Sequence, residues 1–426
     1  MDRDLIALGF AVGLFLLLLL GIPIAATILI LSAVGIMLVS KIDPSLALAT
    51  AFHGQMTNWG LTALPLFVLM GELLSRAKIA QKLFDAFAVL VGRMPGGLIQ
   101  VNVFASTLFS ALSGSSTATV ATIGKLSVGP LRARKYTDGL ILGSIGGAGT
   151  LGILIPPSVA LILYGFAFNV SIGDLFLAGI LPGLMLAGMF CVYVMLRHRT
   201  IGEGQMVGDG SRIRALISLL PLVILIAIVF GAIYGGYATP TEAAVIGVIG
   251  ALFLGWLDGE LDYEVIAGSL KASVMFCATI GIILGASAAL QVAMAYTGVP
   301  RTIVAWIQGA EFGYYGLLLM IAAILIVLGC FMDGLSMIVL TSAVLHPIAV
   351  SAGFDLIWFG IFVVILVEIG LITPPIGFNL FVLQRISGRH LLFIASACFP
   401  FLLIMLLALV VLTIFPSIVT LLPAIL

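Results

Sequence analysis

Apolar residues in this chain fall into long blocks separated by short polar stretches, and most blocks are apolar on every side. That pattern predicts helices surrounded by lipid or by other apolar helices rather than amphipathic surface elements. Blocks at residues 5–20, 24–39 and 61–74 come first, with a polar stretch containing His53 and Asn58 before the third and a basic segment with Arg76, Lys78, Lys82 and Arg93 after it. Residues 96–131 then hold two apolar halves of about 15 residues each, below the roughly 20 that a spanning helix needs. Between them lies Ser113-Gly114-Ser115-Ser116-Thr117, and the far end carries Lys125, Arg132, Arg134 and Lys135. Basic flanks favour the cytoplasm. With both ends on one side, the region reads as a re-entrant hairpin whose polar tip reaches the middle of the membrane.

Residues 139–168 and 175–196 form the next two blocks, and residues 197–214, with Arg197, Arg199, Glu203 and Asp209, make the longest polar stretch. This stretch is the expected cytoplasmic connection between a first half, 1–196, and a second half, 215–426. The second half repeats the plan: a block at 215–233, the sequence YGGYATPTEAA at 234–244, a block at 245–257, an acidic loop with Asp258, Glu260, Asp262 and Glu264, and a block at 271–294. A second hairpin is expected at 316–350, tipped by Met332-Asp333-Gly334-Leu335-Ser336, followed by blocks at 356–384 and 391–415.

Two prolines in a row interrupt one block of each half, in TLGILIPPS at 150–158 and in EIGLITPPIG at 368–377. A Pro-Pro pair removes two backbone donors and pushes the preceding residue out of the α region, so the helix opens there and leaves carbonyls unpaired. At membrane depth such carbonyls are tolerated only where they face protein or a polar cavity. The two breaks lie 218 positions apart (374 − 156), as do Gly152 and Gly370, while Pro23 and Pro240 lie 217 apart (240 − 23). Broken helices in corresponding positions of two halves are the best sequence pointer to the binding site of a secondary transporter. Eight Lys or Arg fall between Arg76 and Lys135 around the first hairpin, and none falls between Thr302 and Gln384 around the second. The second hairpin is therefore expected to open toward the opposite side. The fold class that follows is an all-α integral membrane protein, an inverted repeat with two re-entrant hairpins, two broken helices and about 10–12 spans.

Composition agrees, since 62% of residues are apolar and 8% charged, with a mean hydropathy of +1.32, against roughly 45–50% apolar in soluble domains. Net charge is zero, and no basic face is available for nucleic acid. Cys191, Cys277, Cys330 and Cys398 stand singly, and His53, His198, His346 and His390 are scattered, so no redox or zinc spacing is present. The first block lacks a basic leader and a small-residue cleavage site and reads as a retained span. The Gly-rich GSIGGAG at 143–149 lacks the Lys-Ser/Thr ending of a nucleotide loop. ATP is therefore not expected, which leaves an ion gradient as the simple energy source.

Pairing each tip with the broken helix of its own half builds two candidate cation sites. In the first, hydroxyls of Ser113, Ser115, Ser116 and Thr150 join carbonyls around Gly152 and Ile155; in the second, Thr373 joins carbonyls near Gly334, Gly370 and Ile376. Neutral oxygens with few carboxylates suit Na⁺ better than Ca²⁺. Half-helix N-termini at the tips supply positive ends for an anionic substrate, with Ser116, Asp333 and Ser336 as candidate substrate contacts. The plainer reading is that these Ser and Gly residues let helices pack closely. Asp333 could bind a cation, bind a substrate hydroxyl or only cap the second leg of its hairpin. Glu368 is open to a structural hydrogen bond with the opened backbone or to ion binding, and Glu242, after Pro240, suits a helix start in either case.

The pieces YGGYATPTEAAVIG (234–247), GTLGILIPPS (149–158), MDG (332–334) and EIGLITPPIGFNLFVL (368–383), with LFVLMGELL (66–74) and SGSSTATVATIG (113–124), resemble the large membrane subunit of the tripartite ATP-independent periplasmic (TRAP) transporters nearly end to end. The resemblance implies an elevator-type permease of the bacterial inner membrane. It implies work with a small membrane subunit, here a separate chain, and with a periplasmic substrate-binding protein, importing organic anions such as C4-dicarboxylates or sialic acid with Na⁺. Carried over, its sodium sites implicate Ser113, Ser115, Gly152, Ile155 and Pro157, then Gly334, Gly370, Thr373 and Ile376. The rival readings are a stand-alone ion-coupled dicarboxylate carrier and, more remotely, an intramembrane enzyme or scaffold, for which Asp333 with Glu368 is the only acid pair on offer.

Overall fold

The computed structural model describes residues 3–39, 43–77, 79–197, 211–309 and 313–425. The expected connection at 197–214 lies mostly outside the described residues, as do Lys78 and positions 198–210 with Arg199, Glu203 and Asp209. Among the described residues there are twenty α-helices, two short 3-10 turns and no strand. The all-α expectation holds.

In the first half, α1 (Arg3–Leu19) and α2 (Ile24–Val39) lead to α3 (Pro44–Met56), a 3-10 turn at Trp59–Thr62, and α4 (Ala63–Arg76). A connector, α5 (Ile79–Val91), runs from α4 to a hairpin made of α6 (Leu98–Ser113) and α7 (Ser116–Ala133). The broken helix is α8 (Asp138–Thr150), a 3-10 turn at Leu151–Ile153, and α9 (Val159–Phe168); α10 (Ile172–Arg197) follows. The second half runs through α11 (Arg212–Tyr234), α12 (Pro240–Leu257), the long α13 (Tyr263–Thr297) and the connector α14 (Val299–Gly309). Then come the hairpin of α15 (Tyr314–Gly329) and α16 (Gly334–Ser351), the broken helix of α17 (Leu356–Leu371) and α18 (Phe378–Ser387), and finally α19 (Leu391–Ile414) and α20 (Ser417–Ile425). The succession matches that of the first half, with α13 standing where the first half has α3 and α4. Prolines inside helices keep the same interval: Pro130 in α7 and Pro347 in α16 (347 − 130 = 217), Pro182 in α10 and Pro400 in α19 (400 − 182 = 218).

Four helices fall where no apolar block was read. The polar stretch before residue 61 is largely α3, started by Pro44 in its first turn and by Asp43, whose carboxylate accepts the Ser45 N–H at 2.9 Å. The basic segment after Arg76 contains α5, which buries Ile79, Ala80, Leu83 and Phe84 and exposes Gln81, Lys82 and Asp85. Ten of the thirteen residues of α5 are apolar, but its polar residues fall in the first half beside Arg76 and Lys78, so the segment reads as a basic flank and its helical periodicity is the signal that identifies it. The other two are α14 and α20, short helices after α13 and α19.

By length and composition, α10, α11, α12, α13, α16 and α19 are each long and apolar enough to cross a membrane, and α3 with α4, bent by 53°, makes a seventh. The apolar blocks suggested more because several of them are split or short: α8 with α9 and α17 with α18 are interrupted, and α2 and α15 have 16 residues each.

Two packing groups emerge. In one, α2 and α3 lie on α13, and α4 lies on α12, so helices of one half seat on helices of the other. In the other, the hairpins and broken helices are exchanged in the same manner: α7 packs on α18, and α16 on α9. The centre of this second group is dry, for α17 is buried at every position from Trp358 to Leu371 and α8 from Ile141 to Thr150. Helices apolar all round are stable only in such surroundings or in lipid. A charged tie closes one end of this group. Asp138, at the start of α8, accepts from Arg132 Nε at 2.8 Å and Nη2 at 3.1 Å and from Arg389 Nε at 2.5 Å, while Arg132 Nη2 also donates to the Ser387 carbonyl at 2.8 Å.

Candidate substrate and cation site at the hairpin tips

Each hairpin turns at mid-chain because its residues stop one helix and start another. Gly114 ends α6 in the left-handed region (φ 57°), where glycine carries no Cβ penalty, and Ser115 caps α7, its hydroxyl accepting the Ala118 N–H at 3.4 Å. The tip hydroxyls then satisfy one another: Ser113 Oγ lies 2.8 Å from Thr119 Oγ1, Ser115 Oγ 3.2 Å from Thr117 Oγ1, and Thr119 Oγ1 donates to the Ser115 carbonyl at 2.9 Å. At the second tip Asp333 caps α16, accepting the Ser336 N–H at 3.0 Å. Capping is thus one of the roles considered for Asp333, and its other carboxylate oxygen is left for a second partner.

The first tip is seated on the first break. Ser116 Oγ donates to the Thr150 carbonyl at 2.8 Å, and a Cβ added to Gly152 would lie 2.7 Å from the Ser115 carbonyl oxygen and 2.8 Å from Ser116 N. A Cβ on Gly114 would sit 3.2 Å from the Pro157 carbonyl oxygen. Ser113, Ser115, Gly152 and Pro157 therefore belong to one small region. The side chain of Ile155, whose carbonyl is the candidate ligand, lies over Gly183 of α10. The Thr150 hydroxyl is turned away, donating to its own helix at Gly147 O.

The second junction differs in construction. Gly329 at the end of α15 and Gly370 near the end of α17 bring two backbones together, since a Cβ on Gly370 would fall 2.7 Å from Gly329 Cα. Gly334 lies against Val367, its added Cβ 2.4 Å from Val367 Cγ1. Thr373 Oγ1 donates to Ile369 O at 2.6 Å, and Ile376 is half-buried beside the exposed Pro374 and Pro375. Both Pro-Pro peptides are cis. Glu368 makes no hydrogen bond to the opened backbone, and both its carboxylate oxygens are buried without a hydrogen-bond partner among the described residues. Glu242 forms a capping box with Thr239 at the start of α12.

Both tips open onto one cavity of about 700 Å³. Ser115, Ser116 and Thr117 line it from the first tip, and Asp333, Gly334, Leu335 and Ser336 from the second, so all three candidate substrate residues share its wall. The rest of the lining is apolar apart from Thr279: Met275, Phe276, Ile280, Ile282 and Ile283 of α13, Pro23, Ile24 and Ala25 at the start of α2, and Ile153, Leu371 and Phe378. Among the described lining residues Asp333 is the only charged one. What favours an anion here is backbone, because the N-termini of α7 and α16 both face the cavity with unpaired N–H groups at the positive ends of their dipoles.

The contribution of α13 to this cavity is the part that the sequence does not show. Thr279 spends its hydroxyl on Met275 O at 2.9 Å, and its neighbours are ordinary residues of an apolar span. Thr119, which holds Ser113 and the Ser115 carbonyl, could have been found from its place one turn after the Ser115 cap.

Residues 11–418 match the family described as "Tripartite ATP-independent periplasmic transporter, DctM component". The chain belongs to the DctM family. Among relatives, it is 34% identical to the C4-dicarboxylate TRAP transporter large permease protein DctM of Pseudomonas aeruginosa, covering 95% of this chain and 93% of that one. It is 32% identical to the sialic acid TRAP transporter large permease protein SiaM of Vibrio cholerae, covering 97% and 98%. In fold it is similar to the Alcanivorax borkumensis YdaH transporter, with a TM-score of 0.60 at 14% identity over 84% of this chain and 86% of that one. This DctM-family chain is a transporter permease and not an enzyme, and permeases of the family are integral inner-membrane proteins. Family membership implies two partners, a small membrane subunit and a periplasmic binding protein.

Proposed function

We propose that this permease imports a small organic anion by Na⁺ symport, with the hairpins and broken helices moving as an elevator against the α2, α3, α4, α12 and α13 group. The observation that carries the reading is one cavity whose lining combines both hairpin tips with a mostly apolar stretch of α13. A polar tip pair that must slide along a scaffold is helped by an opposing surface with few competing hydrogen bonds; the cavity-lining part of α13 is apolar apart from Thr279, whose hydroxyl is used within the helix, and further along Ser287 makes one bond to α16, to Val339 O at 2.7 Å. The carbonyl-rich junctions beneath the tips are the Na⁺ sites of this proposal, with Ser113, Ser115, Gly152, Ile155 and Pro157 in the first and Gly334, Gly370, Thr373 and Ile376 in the second. Cations bound there add positive charge next to the two helix N-termini, so an anion binds the loaded protein better than the empty one; that difference is the coupling. The two hairpins face opposite sides of the membrane in this scheme, as the distribution of Lys and Arg requires.

Named relatives carry C4-dicarboxylates and sialic acid, and the substrate class proposed here is the carboxylate that these share. The small subunit is a separate chain in this reading. The test is uptake of labelled C4-dicarboxylates and sialic acid into proteoliposomes holding the permease and its small subunit, with the cognate binding protein outside. Uptake is expected only with an inward Na⁺ gradient and only with the binding protein. Uptake driven equally by K⁺ would refute symport, and uptake without the binding protein would identify a stand-alone carrier.

A further inference from the structure

Away from the tips, a polar and an apolar hollow meet between α5, α11 and α12. The polar one, about 430 Å³, is lined by Lys82 and Asp85 of α5 and by Ser211, Arg214 and Ser218 at the start of α11. The mainly apolar one, about 380 Å³, is lined by Ile79, Leu83, Pro221, Leu222, Leu254 and Leu257, together with Lys82, Ser218 and Asp258. Lys82 and Ser218 belong to both walls, so the hollows are continuous.

The charges in this groove are not equivalent. Lys82 Nζ is taken up by Asp258 Oδ1 at 2.5 Å. That leaves Arg214 without an ion-pair partner among the described residues, and Asp85 with only a 3.4 Å hydrogen bond from Gln81 Nε2. One guanidinium and one carboxylate, neither with an ion-pair partner among the described residues, stand at the polar end, and leucines line most of the other. A zwitterion with an apolar tail matches that order: a phosphate for the fork of Arg214, a primary ammonium for Asp85, and an acyl chain for the leucine-lined end. We propose that the groove binds one aminophospholipid of the surrounding membrane in this orientation. The site lies on the connector between α4 and the first hairpin, so its occupant ties α5 to α11 and α12. This inference rests on the membrane location and not on the substrate or the coupling ion.

Native mass spectrometry of the full chain, extracted in mild detergent from vesicles of equal phosphatidylethanolamine and phosphatidylglycerol, tests it. The wild type is expected to retain one phosphatidylethanolamine, and Arg214→Ala to retain about fivefold less, the effect of one basic residue at a membrane surface. Asp85→Asn, with the phosphate contact intact, is expected to shift the retained lipid toward phosphatidylglycerol. Arg212→Ala, one position off the groove, is the control that keeps wild-type retention, and a thermal melt confirms that each variant is folded. Equal retention by wild type and Arg214→Ala overturns the proposal, and so does an unchanged lipid preference in Asp85→Asn. Loss of the lipid on addition of millimolar inorganic phosphate would assign the groove to free phosphate, and loss on co-purification with the small membrane subunit would assign it to that partner; either also overturns it.

Discussion

The two tip-and-break junctions occupy corresponding positions, 218 residues apart, yet they are built from different materials. The first is rich in hydroxyls, with Ser113, Ser115, Ser116, Thr117 and Thr119 all engaged in hydrogen bonds around the tip, and its break is enclosed: Leu154, Pro156 and Pro157 are buried. The second relies on a backbone crossing at Gly329 and Gly370 and on a carboxylate cap, and its Pro374 and Pro375 are exposed. Part of the cause lies in α10, where Gly179 lets the helix approach the first break until an added Cβ would stand 2.6 Å from Leu154 O. At the matching place in α19, 218 positions on, the residue is Ala397, and its carbonyl packs on Gly143 of α8 instead. Similar local sequences thus give one sealed and one open junction, and the difference comes from what a neighbouring helix allows.

The strongest way to break this comparison is to crowd both close approaches. Gly152→Val and Gly370→Val each place a side chain on backbone atoms that cannot swing away, at a cost of roughly 1–3 kcal/mol. Each is expected to lower uptake in proteoliposomes by up to about a hundredfold. Wild-type uptake in either one would show that its junction is not held closed during transport. Removing one oxygen is gentler: Ser115→Ala and Thr373→Val are expected to raise the half-saturating Na⁺ concentration roughly tenfold, the worth of one hydrogen-bond-sized interaction. Sodium curves that superimpose on the wild type would exclude the corresponding site. The smallest effect separates the caps. Asp333→Asn keeps cap geometry and should melt within about 1 °C of wild type, whereas Asp333→Ala loses about 1 kcal/mol and should melt measurably lower. If Asp333→Asn also slows uptake at an unchanged melting temperature, the carboxylate acts on the substrate or its cation as well as on the helix.

The architecture around the candidate site was legible in the residues themselves. The hairpins expected at 96–131 and 316–350 are α6 with α7 and α15 with α16, and the breaks fall where Pro156-Pro157 and Pro374-Pro375 stand. The amphipathic connector α5 is hard to see in the sequence because Gln81, Lys82 and Asp85 in its first half continue the basic flank of the preceding block, although ten of its thirteen residues are apolar. Thr150 was misjudged in orientation, since a threonine in a helix can return its hydroxyl to the preceding turn, as this one does to Gly147 O.

What the residues determined alone is local and backbone-borne: a proline has no N–H wherever it is placed, a serine or aspartate caps the helix that follows it, and a block of apolar residues seeks lipid or a dry interior. What only the tertiary structure decided is which surfaces face one another. The α13 wall of the cavity, the exchange of α7 and α16 between halves, and the pairing of Arg132 and Arg389 on Asp138 join residues up to about 250 positions apart. A helix that is apolar on all sides carries no mark of which side will be its contact, so that choice is made by the packing of the whole chain.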